Sequence, residues 1–265
     1  MSSLVASNRR NWDCLVPIHA KSKFYDVPAF LRGGTTLRKV ERELVGECTG
    51  CRLLHLQCHF GLDTLSWSRL GARVTGVDFS AVALDEAHRL AAKANIQATF
   101  LQRDVQELTF QGEFDVVVTT YGVLCWIEDL QRWASGIAQS LKLGGRFVLV
   151  DFHPMLEAVY PGKMTGARRY FGGPQAAQVR TKGTYTDGGA DLEYDEYRWQ
   201  HPVAEVISAL VRAGLRVNHF KEHDFCSYGL FDELREVEPG VWCPSTPCVW
   251  PYMFSFVGTK DALKC

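Results

Sequence analysis

Between residues 51 and 152, short apolar runs alternate with longer amphipathic stretches, and this rhythm constrains the fold more than any other feature of the chain. "CRLLHLQ" (51–57), "ARVTGVD" (72–78), "QATFLQRD" (97–104), "FDVVVTTYGVL" (114–124) and "GRFVLVDF" (145–152) read as strands. Helices are expected between them. "DTLSWSRLG" closes at Gly71, a residue suited to the left-handed position past a helix end. "SAVALDEAHRLAAKAN" (80–95) is capped by Ser80, with acids early and Lys93 late, and "DLQRWASGIAQSLK" (129–142) is a third helix. Strand followed by helix, repeated, predicts parallel strands with helices on both faces.

Two regions break the rhythm. Residues 1–45 read as helices with an aromatic-rich turn, "KSKFYDVPAFLRGG", and residues 153–200, with "FGGP", "TDGG" and Tyr185, Tyr194 and Tyr197, as a loop and hairpin insertion. Regularity returns with a helix over "VAEVISALVRAG" (203–214), a strand beginning at "LRVNHFKEHDF" and a closing strand "YMFSFVGTK" (252–260). The stretch between these strands, with Trp242, Pro244, Pro247, Trp250 and Pro251, reads as a rigid aromatic loop.

Composition narrows the partners. The 29 basic residues are scattered among 30 acidic ones, so no cationic face announces nucleic acid or a membrane surface. No apolar run approaches the roughly 20 residues of a membrane-spanning helix, and "MSSLVASNRRNWD" lacks a signal-peptide core. Nine cysteines at irregular spacing, several in apolar segments, fit reduced thiols in a cytoplasmic protein. Cys48 and Cys51 with Cys243 and Cys248 form the one zinc-like set, but its second spacing is loose, so the expectation is no metal. A small-molecule acceptor and a monomer or homodimer are expected.

In an open parallel sheet, ligands bind beyond the carboxyl ends of the strands. "LQCHFG" lies at the end of the first strand; Gly61 admits a close approach of backbone, and Asp63 and Thr64 are placed to cap the next helix. Asp78 ends the second strand about 20 residues on, where a carboxylate accepts ribose hydroxyls. Asp104 and Val105 follow the third strand, positioned for an adenine edge, and "TTYGVLCW" ends the fourth.

"LLHLQCHFGLDTLSWSRLGARVTGVDFS", "FLQRDVQEL", "FDVVVTTYGVLCWIEDL" and "LKLGGRFVLVDFHP" together resemble the class I S-adenosylmethionine-dependent methyltransferases over residues 50 to 153. The resemblance implies an α/β, Rossmann-like seven-stranded, mostly parallel sheet with an antiparallel last strand. It also implies helices on both faces, an N-terminal helical cap and an insertion after strand 5. One domain is expected over 1–265: cap 1–45, cofactor-binding core 46–152, lid insertion 153–200, and 201–265 as the C-terminal part of the sheet with its aromatic loop. The family's first motif has an acid and alternating glycines; here His55 takes the acid's place, Gln57 and His59 take two glycine places, and Gly61 remains.

By position in the family, Gln57, Cys58 and Gly61 line the methionine end, Asp78 the ribose, Asp104 and Val105 the adenine, and Thr120 and Tyr121 the sulfonium side; His59, Asp63, Thr64, Phe79 and Ser80 are further cofactor-binding candidates. Trp12 and Tyr25 belong to a segment that folds over the cofactor in similar enzymes. His59 beside a cationic sulfonium must be neutral. His153 and Tyr121 are the candidate catalytic groups, His153 taking a proton or orienting the acceptor. His19, Trp126, His153, His201 and Tyr228 are candidates for the substrate wall, set against plainer roles as core aromatics or helix caps. The expected activity is methyl transfer from S-adenosyl-L-methionine, leaving S-adenosyl-L-homocysteine, to a small apolar or aromatic acceptor. The alternatives are an NAD(P)-dependent oxidoreductase, for which the chain lacks G-x-G-x-x-G, a cofactor-binding protein without catalysis, and a sulfonium-using protein that does not methylate.

Overall fold

The computed structural model describes residues 1–159, 170–173, 175–247 and 250–261. Three helices precede the sheet: α1 (Ser3–His19), α2 (Val27–Leu31) and α3 (Lys39–Val45). Ser2 caps α1 by accepting from the Val5 amide, and Asp26 caps α2 through Ala29, so these two helices start at an oxygen-bearing side chain.

The alternating core follows as β1 (Arg52–Leu56), α4 (Leu62–Arg69), β2 (Arg73–Asp78), α5 (Ala81–Ala94), β3 (Thr99–Gln102), β4 (Phe114–Thr120), α6 (Leu130–Ser140) and β5 (Leu141–Phe152). Ser80 caps α5 and Asp129 caps α6, the latter accepting from the Gln131 and Arg132 amides at 2.9 Å. β5 begins earlier than the expected Gly145, because Leu141 already pairs with Phe114 of β4. Beyond it lie α7 (Met155–Val159), the antiparallel hairpin β6 (Ala177–Lys182) and β7 (Glu193–Arg198), then α8 (Val203–Arg212), β8 (Leu215–His223), β9 (Leu234–Glu238), β10 (Val241–Pro244) and β11 (Met253–Lys260). β9 and β10 pair as a second hairpin, so part of the segment expected to be an aromatic loop is strand. Residues 160–169 and Pro174 of the expected insertion, and Cys248 of the zinc-like set, lie outside the described residues.

The main sheet runs β3-β2-β1-β4-β5-β11-β8, with β11 antiparallel to both of its neighbours. Period-two alternation sorts its side chains. Leu54 and Leu56 of β1 join Val117, Phe147 and Leu149 on the face covered by Trp133 and Ile137 of α6 and Leu210 of α8. Leu53 joins Val116, Val118 and Val148 on the other face, against Val45 of α3 and Trp67 of α4. Both faces are dry, which is why these strands read as continuous apolar runs rather than alternating ones. No helix among the described residues is long and apolar enough to cross a membrane.

α1 and the β6–β7 hairpin are joined at one end of the sheet. Asn8 exchanges two hydrogen bonds with the Tyr197 backbone, at 2.6 and 2.9 Å, and the Asn11 amide donates to Asp195 O at 2.7 Å. Polar side chains of α1 thus satisfy the free edge of β7.

Candidate active site

The strand order reverses between β1 and β4, the place where an open sheet leaves a crevice. A cavity of about 800 Å³ opens there. Of the loop after β1, Gln57, Cys58, His59, Gly61 and Asp63 line it. Gln57, His59 and Gly61 all have left-handed backbone, at φ of 51°, 50° and 82°. That conformation costs a non-glycine residue roughly 1–2 kcal/mol, so the loop keeps a glycine-like path although the letters have changed. Gly61 is required twice: a β-carbon there would lie 2.9 Å from both Ala87 Cβ and the Phe100 ring.

The loop is tied to the next strand through Asp78. The His59 amide donates to Asp78 Oδ2 at 2.8 Å and the Ser80 amide to Oδ1 at 2.9 Å. Asp78 is only 7% exposed, and burial pushes its carboxyl up to about 6 against those bonds. Phe79 and Ser80 also line the cavity; Ser80 Oγ donates to Asp13 at 2.6 Å besides capping α5. Asp104, 9% exposed, accepts from the Gln106 backbone and side-chain amides through Oδ1, at 2.9 and 3.2 Å. Its Oδ2 takes no hydrogen bond among the described residues. Asp78, Asp104 and Val105 line the same cavity.

Thr64 is not in the cavity wall. The first turn of α4 starts at Leu62 with Gly61 in the capping position, so Asp63 and Thr64 fall inside the helix and cap nothing. Thr64 is buried and meets His55 Nδ1 at 2.8 Å, while Asp63 accepts from the Thr36 hydroxyl.

An aromatic and imidazole layer covers the loop. Trp12 packs edge-on to His59 at 5.3 Å and to Trp126 at 5.5 Å, and Tyr25 to Phe60 at 4.7 Å. Trp12, Tyr25 and Trp126 line the cavity; His19 lies behind it. His19 Nδ1 is 3.0 Å from His59 Nε2, and its Nε2 is 2.7 Å from Thr184 Oγ1. Burial pushes His19 down to about 4 and His59 well below its ordinary value, so both rings are neutral at neutral pH. Tyr185, a cavity residue that sequence reasoning did not assign, shares a hydrogen bond with the Tyr25 hydroxyl from the turn between β6 and β7.

After β4, Thr120 and Tyr121 line the opposite wall. Tyr121 too has left-handed backbone, at φ 57°. Its hydroxyl donates to Glu41 Oε2 at 2.5 Å and lies 3.3 Å from Ser227 Oγ. The Gln57 side chain bridges the two strand ends, donating to Val123 O at 2.9 Å and accepting from Thr119 Oγ1 at 3.3 Å. Asp151 holds the turn after Tyr121: its carboxylate accepts from the amides of Gly122, Val123, Leu124 and Phe152. Glu41 and Asp151 were not singled out in the sequence, where each is one acid among 30.

The remaining candidates divide. His153 lines the cavity, but the Met155 amide donates to its Nδ1 at 3.1 Å, which places the proton on Nε2, facing Glu222 at 2.9 Å. With both nitrogens engaged, the ring has no free lone pair for a proton. His201 also lines the cavity, and its Nε2 donates to Ile127 O at 2.7 Å. Tyr228 stacks on Phe24 at 5.6 Å, with the Arg38 guanidinium 4.6 Å from its ring. Among the described residues no group of three or more His, Cys, Asp or Glu side chains is placed to hold a metal ion.

The fold aligns with an S-adenosylmethionine-dependent methyltransferase from Mesorhizobium loti, TM-score 0.57, covering 83% of this chain and 95% of that one at 21% identity. Residues 53–145 match the family model described as a methyltransferase domain. The core, residues 53–145, is thus similar to a methyltransferase domain. Within it the chain is 39% identical over 107 residues to an uncharacterized methyltransferase of Synechocystis, covering 39% of this chain and 48% of that protein. It is 33% identical over 105 residues to a ubiquinone biosynthesis O-methyltransferase of Escherichia coli, covering 39% and 43%. The chain thus spans less than half the length of either relative. The matched residues hold the loops after β1 to β4; Trp12, Tyr25, Glu41 and Tyr185 come from outside them.

Proposed function

We propose that the protein is an S-adenosylmethionine-dependent methyltransferase acting on a small apolar or aromatic acceptor. The observation that carries this reading is the pair Asp78 and Asp104, two buried carboxylates at the ends of neighbouring strands and in the wall of one cavity. Each oxygen of Asp78 spends one lone pair on a backbone amide and keeps another for a ribose hydroxyl. The free Oδ2 of Asp104 suits an adenine amino group, and Trp12 and Trp126 supply apolar walls.

The donor set fits the cofactor. The imidazoles of His19 and His59 are neutral, so they do not repel a cation, and the rings of Tyr121 and Tyr228, 5.1 Å apart, present π faces and edges on the same side. When bound, S-adenosylmethionine supplies an electrophilic methyl group on a cationic sulfur. The chain's part is positioning: Gln57 locks the β1 and β4 ends together, Asp151 fixes the turn bearing Tyr121, and the layer of Trp12, Tyr25 and Tyr185 excludes water. Phe24, Trp126, Phe152 and Tyr228 form walls suited to a flat acceptor. A hydroxyl acceptor is in keeping with the O-methyltransferase named for the Escherichia coli relative.

Calorimetry with S-adenosylhomocysteine tests the reading. Micromolar binding to the wild type and a loss of tenfold or more, roughly 1.4 kcal/mol, in Asp78→Ala are expected. Equal affinity in both proteins, or NADH binding in place of the homocysteine product, would reject it.

A further inference from the structure

We propose that Glu41, acting through the Tyr121 hydroxyl, receives the proton that the acceptor gives up during methyl transfer. The inference rests on the methyltransferase reading and adds an acceptor class to it: a protic one, whose attacking oxygen, nitrogen or sulfur carries the proton to be lost.

Glu41 is 1% exposed and forms no ion pair among the described residues, a costly state for a carboxylate. Capping explains only half of it. Oε1 accepts the Arg38 backbone N–H at the start of α3, as a residue in its third helical position does. Oε2 is turned the other way, to the Tyr121 hydroxyl at 2.5 Å. Tyr121 lines the cavity and Glu41 does not, so the phenol is the link between a hidden base and the chamber. His153 cannot take this role, because both its nitrogens are engaged.

The charges balance. As the acceptor atom bonds to the methyl carbon, the methyl–sulfur bond breaks and its electron pair stays on sulfur. The acceptor's proton passes to Tyr121 Oη while Tyr121's own proton passes to Glu41 Oε2. One positive charge on sulfur and one negative charge on Glu41 are lost together, so no net charge is created in a poorly solvated site.

The groups facing Glu41 are Arg38 at the start of its own helix, Asp63 on α4, Tyr121 after β4 and Tyr228 after β8, while Ser227 faces the Tyr121 hydroxyl. Burial pushes the Glu41 carboxyl up to about 7, while the Tyr121 and Arg38 bonds pull it down, so Glu41 changes protonation near neutral pH.

The test uses S-adenosylmethionine and S-adenosylhomocysteine as probes and needs no identified acceptor. Both are titrated calorimetrically into the 265-residue wild type, Glu41→Gln and Tyr121→Phe between pH 6 and pH 8.5. An ionised Glu41 favours the cationic sulfonium over the neutral thioether, so in the wild type the preference for S-adenosylmethionine should rise on the order of tenfold with pH. Asp78 faces both probes alike and cancels in the ratio. In Glu41→Gln the ratio should be flat. In Tyr121→Phe, which keeps the ring but removes the bond that favours the ionised carboxylate, the midpoint should move to higher pH. S-adenosylhomocysteine binding with a flat ratio in the wild type, or an unchanged pH dependence in Glu41→Gln, overturns the proposal and leaves the methyltransferase reading standing. No binding of either probe to the wild type overturns both.

Discussion

The His59 backbone amide donates to Asp78 Oδ2 at 2.8 Å, and the same residue turns the chain through the left-handed region, at φ 50°. The left-handed loop and the Asp78 carboxylate are therefore joined directly, backbone to side chain. Variants at His59 can separate the backbone from the imidazole. His59→Gly and His59→Ala both lose the contact with His19, but only alanine retains the steric cost of a positive φ. The glycine variant should be the more stable by about 1 kcal/mol, read as a higher midpoint in urea denaturation. Equal midpoints would mean that the turn carries no strain.

In the proposed cofactor site, Asp78 carries a pH dependence of its own. With its carboxyl at about 6 in the free protein, protonation below that pH converts an acceptor of ribose hydroxyls into a competitor for them. Affinity for S-adenosylhomocysteine should be level above about pH 6 and fall below it. Asp78→Asn should bind weakly, with little pH dependence over the same range. Calorimetric titrations at pH 5 and pH 7.5 decide the matter, and a wild-type affinity identical at both would exclude Asp78 from the contact.

The parts that were legible in the sequence are those written locally. Ser80 and Asp129 announce helix starts from within four residues, and Leu53 to Leu56 read as a strand because both faces are buried. The site closes through long-range pairs instead: Tyr121 meets Glu41 across 80 positions and Tyr25 meets Tyr185 across 160. No local pattern marks such partners. Glu41 looks like any helix-start acid, and Tyr185 like a turn tyrosine. The β9–β10 hairpin was hidden by its own composition, since Trp242 and Pro244 suggest a loop, yet Pro244 sits at the strand's last position, where its missing N–H breaks no ladder. Thr64 misled for a different reason, a shift of α4 that put Gly61 at the cap.

The histidine layer predicts how acid acts on the fold. His19 is held near 4 against an ordinary value of 6.5, its ring pinned between His59 and Thr184. Between those pH values the unfolded chain binds a proton that the folded chain refuses, so the His19 contribution to stability is complete above about pH 6.5 and declines as pH falls toward 4. His223, also pushed down to about 4 by burial, adds to the same window. Glu41 and Asp78, whose carboxyls burial raises to about 7 and about 6, act in the opposite sense, so the histidine share is read as a difference: the denaturant midpoint of the wild type should lose ground to that of His19→Asn as pH falls from 7 to 5.

Gly61 offers the sharpest structural test, because three observations converge on it. Its φ of 82° disfavours any β-carbon, its position starts α4, and an added methyl would meet Ala87 and Phe100 at 2.9 Å. Neither neighbour can yield: Ala87 is fixed on α5, and the Phe100 ring is packed against Ala87 and Cys58 in the same buried cluster. Gly61→Ala combines backbone strain of roughly 1–2 kcal/mol with overpacking of roughly 1–3 kcal/mol, so a loss of at least about 2 kcal/mol is expected. A melting temperature within about a degree of the wild type would show that the loop can leave its left-handed path. In that case the alignment of its amides with Asp78 would not depend on the glycine.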